Sequence, residues 1–455
     1  MKTFLDVVGE NIRFEILGII WILTLWELYL SLRQRKLMKR LEKVPDLLEG
    51  LMSQEVYSKS RVYALDKSSF DIFKTLFGTA FKTILILTFA YYHAWRWSVK
   101  INNKIGLGNR NEILNSCTCM LLTSIISFFI ELPLDAYSTF VVEQKHGFNK
   151  QTPSFFIKDK LKQIAIMQVI SLPIMSGIMW IIKNGGDHFV WYLWIFTVVM
   201  ILIMMIVYPE LIAPLFDKYS PLPEGDLREK IEALAASLNF PLYKLYIVEG
   251  SKRSSHSNAY MYGFHKSKRI VLFDTLVKEY YKPSEDDPIK DQGCENDEVV
   301  AVLAHELGHW KYNHVWKQLL FAQISILINF YSFGMLLHYR PMYVAFGFNH
   351  SQPILIGLII VLMHILIPIN ELIGFLQTVC SRIFEFQADK FAKDLGYTES
   401  LKGALVKLQK DNLGFPVFDK LYSGYHHSHP PLLERLEALS KEDKVGKEGK
   451  EEKED

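Results

Sequence analysis

Residues 301–314 read "AVLAHELGHWKYNH". On a helix, positions four apart lie about 40° apart around the axis, so His305 and His309 present their imidazoles one turn apart on one face. Two imidazoles so placed can hold a single metal ion. Glu306, beside the first of them, can then act as general base toward water at that ion without ligating it. One Zn2+ per chain is the expected cofactor, because a catalytic zinc held by imidazole and carboxylate keeps a position open for water. The pattern is incomplete without a third ligand.

The stretch "SRIFEFQADKFAKDLG" (381–396) supplies a candidate. Glu385 and Asp389 share a helix face, so Glu385 can bind the metal while Asp389 accepts the second ring N–H of a ligand histidine. Taken alone this spacing suits a solvated helix face; beside the upstream motif it suits a metallopeptidase with a glutamate ligand. Further on, "YHHSHPPLLERL" (425–436) offers His429 as a donor to the oxyanion of a tetrahedral intermediate and Arg435 as a clamp on the Asp389 carboxylate. His426 and His427 read as surface residues, and His314, five positions beyond His309, falls off the metal face. The polar run "SKRSSHSNAY" (251–260) reads either as a loop or as an extended edge that hydrogen-bonds a substrate backbone, with Asn258 at its centre.

The elements that must position these residues are largely apolar. The chain has 455 residues, of which 50% are hydrophobic and 13% aromatic, and its mean hydropathy is positive, +0.11. Seven stretches are long enough to cross a bilayer, about 14–32, 79–99, 113–134, 161–183, 189–215, 316–338 and 353–376. Glu27, Glu131, His364 and Glu371 lie within or at the ends of them and predict a polar, hydrated interior. The first apolar stretch is longer than the core of a secretion signal and reads as an uncleaved span. With 51 basic and 49 acidic residues the net charge is +2, which gives no support to nucleic-acid binding. Cys117, Cys119, Cys294 and Cys380 form no C-x-x-C pair and read as free thiols.

The basic run "RQRKLMKRLEK" (33–43) follows the first span and places that loop in the cytosol, with the N-terminus lumenal. Alternation then brings both long polar segments, 216–315 and 377–455, to the cytosolic face. An even number of spans separates His309 from Glu385, so a composite site is sterically open to them. The expected organisation is therefore 1–215 as five spans with their loops, 216–315 as a protease segment ending in the histidine helix, 316–376 as two spans, 377–440 as the rest of the protease, and 441–455 as a charged tail without apolar periodicity. Within 216–315 the pattern predicts an amphipathic helix over 227–240 and strands over 244–250 and 268–277. The acid-rich 280–298 stretch reads as a solvated loop, longer than expected of the family named next.

Together "ELPLDAYSTFVVEQKHGFNK" (131–150), "SKRSSHSNAY", "RIVLFDTL", "VLAHELGHW", "EFQADKFAKDLGY" and "HPPLLERL" closely resemble the integral-membrane CAAX prenyl endopeptidases over nearly the whole chain. The resemblance implies a mainly α, polytopic fold. Seven transmembrane helices would enclose a water-filled chamber, with a gluzincin-type zinc site at the cytosolic end. It implies prenylated CAAX proteins as substrates, cut after the modified cysteine to release three residues, in the endoplasmic reticulum and inner nuclear membrane. A second, N-terminal cut of a pheromone precursor and a broader quality-control role are also attributed to such enzymes. By the same likeness His305, His309 and Glu385 are ligands, Glu306 the base, and His429, Asn258, Asp389 and Arg435 supporting residues. A membrane scaffold or channel with structural zinc is the non-enzymatic alternative; Glu306 speaks against it, since a structural site has no use for a base.

Overall fold

A computed structural model of the chain describes residues 4–107, 111–263, 268–282 and 289–441. The charged tail beyond residue 441 and the centre of the acid-rich 280–298 stretch lie outside the described residues. The membrane-facing half is a set of long helices: α1 (Phe4–Arg40), α2 (Gln54–Leu87), α3 (Ala90–Lys104), α4 (Glu112–Tyr137), α5 (Pro153–Asn184) and α6 (Phe189–Val207). Several start where the sequence supplies a cap. Ser53, Asn111 and Thr152 each accept a hydrogen bond from a backbone N–H three residues on, and Pro153 opens α5 where a missing N–H costs nothing.

Among the described residues five helices are long and apolar enough to cross a membrane, and two bent pairs raise the total to seven. The run predicted as one span at 79–99 is such a pair: α2 and α3 meet at 64°. The break falls at Phe89, a bulky residue held in the left-handed region at φ 54°. Arg13 stacks over its ring at 4.9 Å, and a side chain at Gly347 would press on it, so packing fixes the corner. The outward faces carry large exposed side chains such as Trp180, Trp191, Ile195, Leu320 and Met335, as lipid contact requires.

The second half interleaves soluble and membrane parts: α7 (Asp226–Ser237), α8 (Asn296–Lys311), α9 (His314–Leu336), α10 (Arg340–Ala345), α11 (Ile354–Ile360), α12 (Ile367–Asp394), α13 (Thr398–Asp411), α14 (Lys420–His426) and α15 (Leu432–Ser440). The apolar run at 353–376 is the other bent pair, with a 60° angle just before α12. α12 does not stop where its apolar run stops; it continues to Asp394 and carries Glu385 and Asp389. The stretch read as a short loop at 339–352 contains α10, whose Tyr343 is fully buried together with Phe346. A Cβ on Gly357 would strike the Tyr343 hydroxyl, so the glycine lets this side chain of α10 lie directly on the α11 backbone.

Four strands form one sheet in the order β1-β2-β4-β3: β1 (Tyr219–Pro221), β2 (Leu242–Val248), β3 (Ala259–Tyr262) and β4 (Lys268–Phe273). β2 and β4 are parallel, and β3 runs antiparallel to β4 from Ala259 opposite Leu272 to Tyr262 opposite Arg269. Ile270, Val271 and Leu272 are fully buried, so the unbroken apolar run of β4 suits a central strand. α7 and α8 pack on this sheet through Leu227, Ile231, Val299 and Leu303. β1 and β3 were not predicted. β3, like β1, is an edge of the sheet, and it begins at the end of the 251–260 run, which the sequence alone leaves as either a loop or an extended edge.

Polar atoms of Gln168, Ser171, Gln323 and His364 are buried with no partner among the described residues. Groups of this kind between apolar helices mark positions that water must reach.

Candidate metal centre

The two histidines sit on α8, whose start is fixed by a reciprocal cap between Glu295 and Glu298. Gly308, between them in sequence, is what lets α8 lie against α12: a Cβ there would be 3.0 Å from Ala388 Cα and 3.1 Å from Phe391 Cβ. At this separation Glu385 reaches the histidine face. Ligand atoms of His305, His309 and Glu385 all lie within 4.8 Å of one another. His305 Nε2 is 3.2 Å from His309 Nε2 and 3.5 Å from Glu385 Oε2; His309 Nε2 is 3.2 Å from Glu385 Oε1. Glu385 is 4% exposed, and its carboxylate faces only imidazole nitrogens, those of His305, His309 and His429, apart from the more distant Arg435 guanidinium.

Both imidazoles are held from behind. His305 Nδ1 lies 2.8 Å from Asp389 Oδ1, and a carboxylate can only accept, so Nδ1 carries the proton and Nε2 offers its lone pair. Asp389 is in turn gripped by Arg435, Nε to Oδ2 at 2.8 Å and Nη2 to Oδ1 at 2.5 Å. The behaviour of His309 follows from a residue that sequence reasoning placed off the metal face. α8 ends at Lys311 and the chain reverses at Asn313, left-handed at φ 56°, so the five-residue offset is not a helical one. His314 is folded back until its Nδ1 is 2.9 Å from His309 Nδ1, and its Nε2 is 2.9 Å from Gln387 Oε1. The amide oxygen accepts, which puts the His314 proton on Nε2 and makes His314 Nδ1 the acceptor for His309 Nδ1–H. His309 Nε2 is thereby left with a free lone pair. Stacking on Phe384 at 4.2 Å and Tyr312 at 5.8 Å holds the His314 ring flat.

Two imidazole Nε2 atoms, each tied back through its Nδ1, and a buried carboxylate converge on one point, so the donor set fits a metal ion. Replacing His314 with alanine should lower metal affinity about 10–100-fold with His305, His309 and Glu385 intact. Competition against a chromophoric chelator measures this.

Without metal, burial opposes the charged form of His305, yet Asp389 and Glu385 prevail and push its pKa up to about 9. Metal uptake below that pH therefore expels one proton. Apparent affinity should rise about tenfold per pH unit and level off above about pH 9. Calorimetry in buffers of different ionisation enthalpy counts the proton; a count near zero at pH 7 would contradict it.

The remaining residues ring this centre. Glu306 is half-buried on α8. His429, with 71% of its side chain exposed, places Nδ1 2.9 Å from Glu385 Oε2 at the rim. Asn258 is exposed at the head of β3, its backbone carbonyl accepting from Phe273 N–H at 3.1 Å. The expectation that His426 and His427 are surface residues is corrected: His426 lies 3.3 Å from Glu27, and His427 packs edge-on against Phe418 at 4.3 Å. Burial lowers the His427 pKa to about 4.

Sequence reasoning also missed that 131–150 and 251–260 form one structure. Asn149 pairs with Ser254, His256 stacks on Phe148 at 4.0 Å, and His256 Nδ1 lies 3.0 Å from Asn412 Oδ1. Arg253 joins Asp159 and Asp217 through its guanidinium. These contacts anchor the segment that leads into β3. The shared density of polar residues in the two runs was the available signal, but nothing in either run pointed to the other.

A family model described as "CAAX prenyl protease N-terminal, five membrane helices" matches residues 34–218, and "Peptidase family M48" matches 221–443. A mouse protein named "CAAX prenyl protease 1 homolog" is 48% identical over 442 residues, covering 92% of this chain and 93% of its own. An Arabidopsis thaliana protein of the same name is 46% identical, covering 94% and 97%. The chain belongs to the CAAX prenyl protease 1 group of peptidase family M48. The crystal structure of S. mikatae Ste24p superposes with a TM-score of 0.83 at 34% identity over 96% of this chain and 99% of that one. Like the other members of family M48, the chain is a metallopeptidase, and it is a multi-pass membrane protein with a Ste24p-like, mainly helical fold.

Proposed function

We propose that the chain is a zinc-dependent endopeptidase of the endoplasmic reticulum membrane that removes the last three residues of prenylated CAAX proteins. The observation that carries the reading is the paired tie-back of His305 to Asp389 and of His309 to His314, which turns both Nε2 atoms toward Glu385. In this reading His305, His309 and Glu385 hold the zinc. When bound, the ion supplies Lewis acidity toward water and the scissile carbonyl and leaves a coordination position open.

This chain's own groups do the rest. Glu306 takes the proton of the attacking water and returns it to the departing amine. His429, exposed enough to turn, donates to the oxyanion. β3 is an edge strand of the sheet, and Asn258 at its head aligns an extended substrate by strand addition. Asp389 and Arg435 hold the imidazole of His305 in register.

The basic residues of 33–43 favour a cytosolic metal centre, a lumenal N-terminus and a protease part built from 216–315 and 377–440, joined through the membrane hairpin between them. The unpartnered polar atoms between the spans favour a hydrated chamber. Substrates would be prenylated proteins, as the names of the relatives suggest.

Purified protein in liposomes, given a farnesylated CAAX peptide, should release the C-terminal tripeptide, and a zinc chelator should stop it. Wild-type protein that releases no tripeptide sinks the reading. An unprenylated peptide cut equally fast would instead favour a quality-control peptidase of broader specificity.

A further inference from the structure

An apolar groove of about 740 Å³ lies between α1, α12 and α14. Leu372, Phe375, Val379 and Phe386 form its α12 wall at helical spacing, Trp26 closes it from α1, and Gly424 from α14. Phe386 directly follows Glu385, about 100° further around the axis of α12, so one end of the groove lies at the same level of the helix as the metal centre. The other end, 14 residues earlier at Leu372 (386 − 372), is about 21 Å down the helix in its membrane-spanning part. Glu371, at that end, has its carboxylate engaged by the Tyr425 hydroxyl at 3.0 Å.

Gly424 sits inside α14, where glycine is the least favourable residue short of proline. Its backbone is not left-handed, and a Cβ built on it meets no atom within 4 Å. Neither conformation nor close packing calls for a glycine here; what its missing side chain leaves is open groove.

We propose that this groove holds the isoprenoid of the substrate while the bond to be cut lies at the metal centre, which makes Trp26, Phe375, Val379, Phe386 and Gly424 specificity-determining residues. The proposal rests on the prenyl-protease reading above. In that reaction the carbonyl under attack belongs to the prenylated cysteine itself. The thioether therefore leaves the peptide right beside the ligands, and its chain needs an apolar path that begins there and leads toward the membrane. The groove has that direction and that lining, and its upper end is one residue along α12 from Glu385.

Matched peptides of one sequence, bare, farnesylated and geranylgeranylated, test it in wild type, Gly424→Trp and Val379→Trp. The ratio of kcat/KM for the farnesylated over the bare peptide should fall about tenfold in each variant, and further for the longer isoprenoid. An unchanged ratio in variants that retain their metal, with wild type active, overturns the groove and leaves the protease reading standing. A wild type inactive on every prenylated peptide brings down both.

Photolabelling guards against variants that fail to fold. In Glu306→Gln protein a peptide with a benzophenone-tagged isoprenoid should label α1, α12 and α14. Labelling of α5 or α6 instead, or a bilayer lipid that labels the groove and is not displaced by the prenylated peptide, overturns the proposal.

Discussion

Glu306→Gln should reduce tripeptide release about a thousandfold while the protein keeps its full complement of metal. The amide occupies the same volume as the carboxylate, and no hydrogen bond to that carboxylate occurs among the described residues, so the fold has little to lose. What disappears is the only group beside His305 on α8 that could accept a proton from water. Ligand geometry stays, because His305, His309 and Glu385 are held by Asp389, His314 and the packing of α12 rather than by Glu306. Single-turnover kinetics with metal analysis of the same sample decides the matter. A variant that cuts at the wild-type rate would remove Glu306 from the chemistry, and one that loses its metal would make it a structural residue.

The second large effect is expected at Asp389, which is 1% exposed and serves two partners at once. Its Oδ1 faces His305 Nδ1 and Arg435 Nη2, and its Oδ2 takes Arg435 Nε. Asp389→Ala leaves a largely buried guanidinium without its main counter-charge, a loss on the order of 3–5 kcal/mol in stability. It also frees the His305 proton to move to Nε2, where it blocks the metal, so affinity should drop about 10–100-fold.

The double replacement Asp389→Leu with Arg435→Met separates the two roles. Removing both charges together should return much of the melting temperature, since a buried pair is worth little more than an apolar one. Metal affinity should stay low, because His305 still lacks its acceptor. If affinity recovered along with stability, Asp389 would have no part in setting the tautomer.

The metal donors were legible in the sequence because a helix makes spacing into geometry: His305 and His309, Glu385 and Asp389 are each one turn apart, and both pairs do lie on helices. His314 was not, because the rule that reads His309 correctly assumes an unbroken helix, and Asn313 breaks it. The apolar runs were visible, but a hydropathy window adds side chains without seeing the path of the backbone. It could not show the corner at Phe89, nor that α12 outlasts its apolar run by more than four turns. β1 and β3, of three and four residues, are too short to display an alternation. The contact between His256 and Phe148 joins residues more than a hundred positions apart and left no local trace.

The close approach of α8 and α12 at Gly308 has a mechanical meaning. Two of the candidate ligands are on one of these helices, the third is on the other, and the backbones touch within a turn of all three. A close backbone contact resists relative sliding of the two helices, so the spacing of the donors is set by the α8–α12 packing and not by the bent membrane segment ahead of α12. The geometry of the site is thus a property of one helix pair, independent of how the spans around it are arranged.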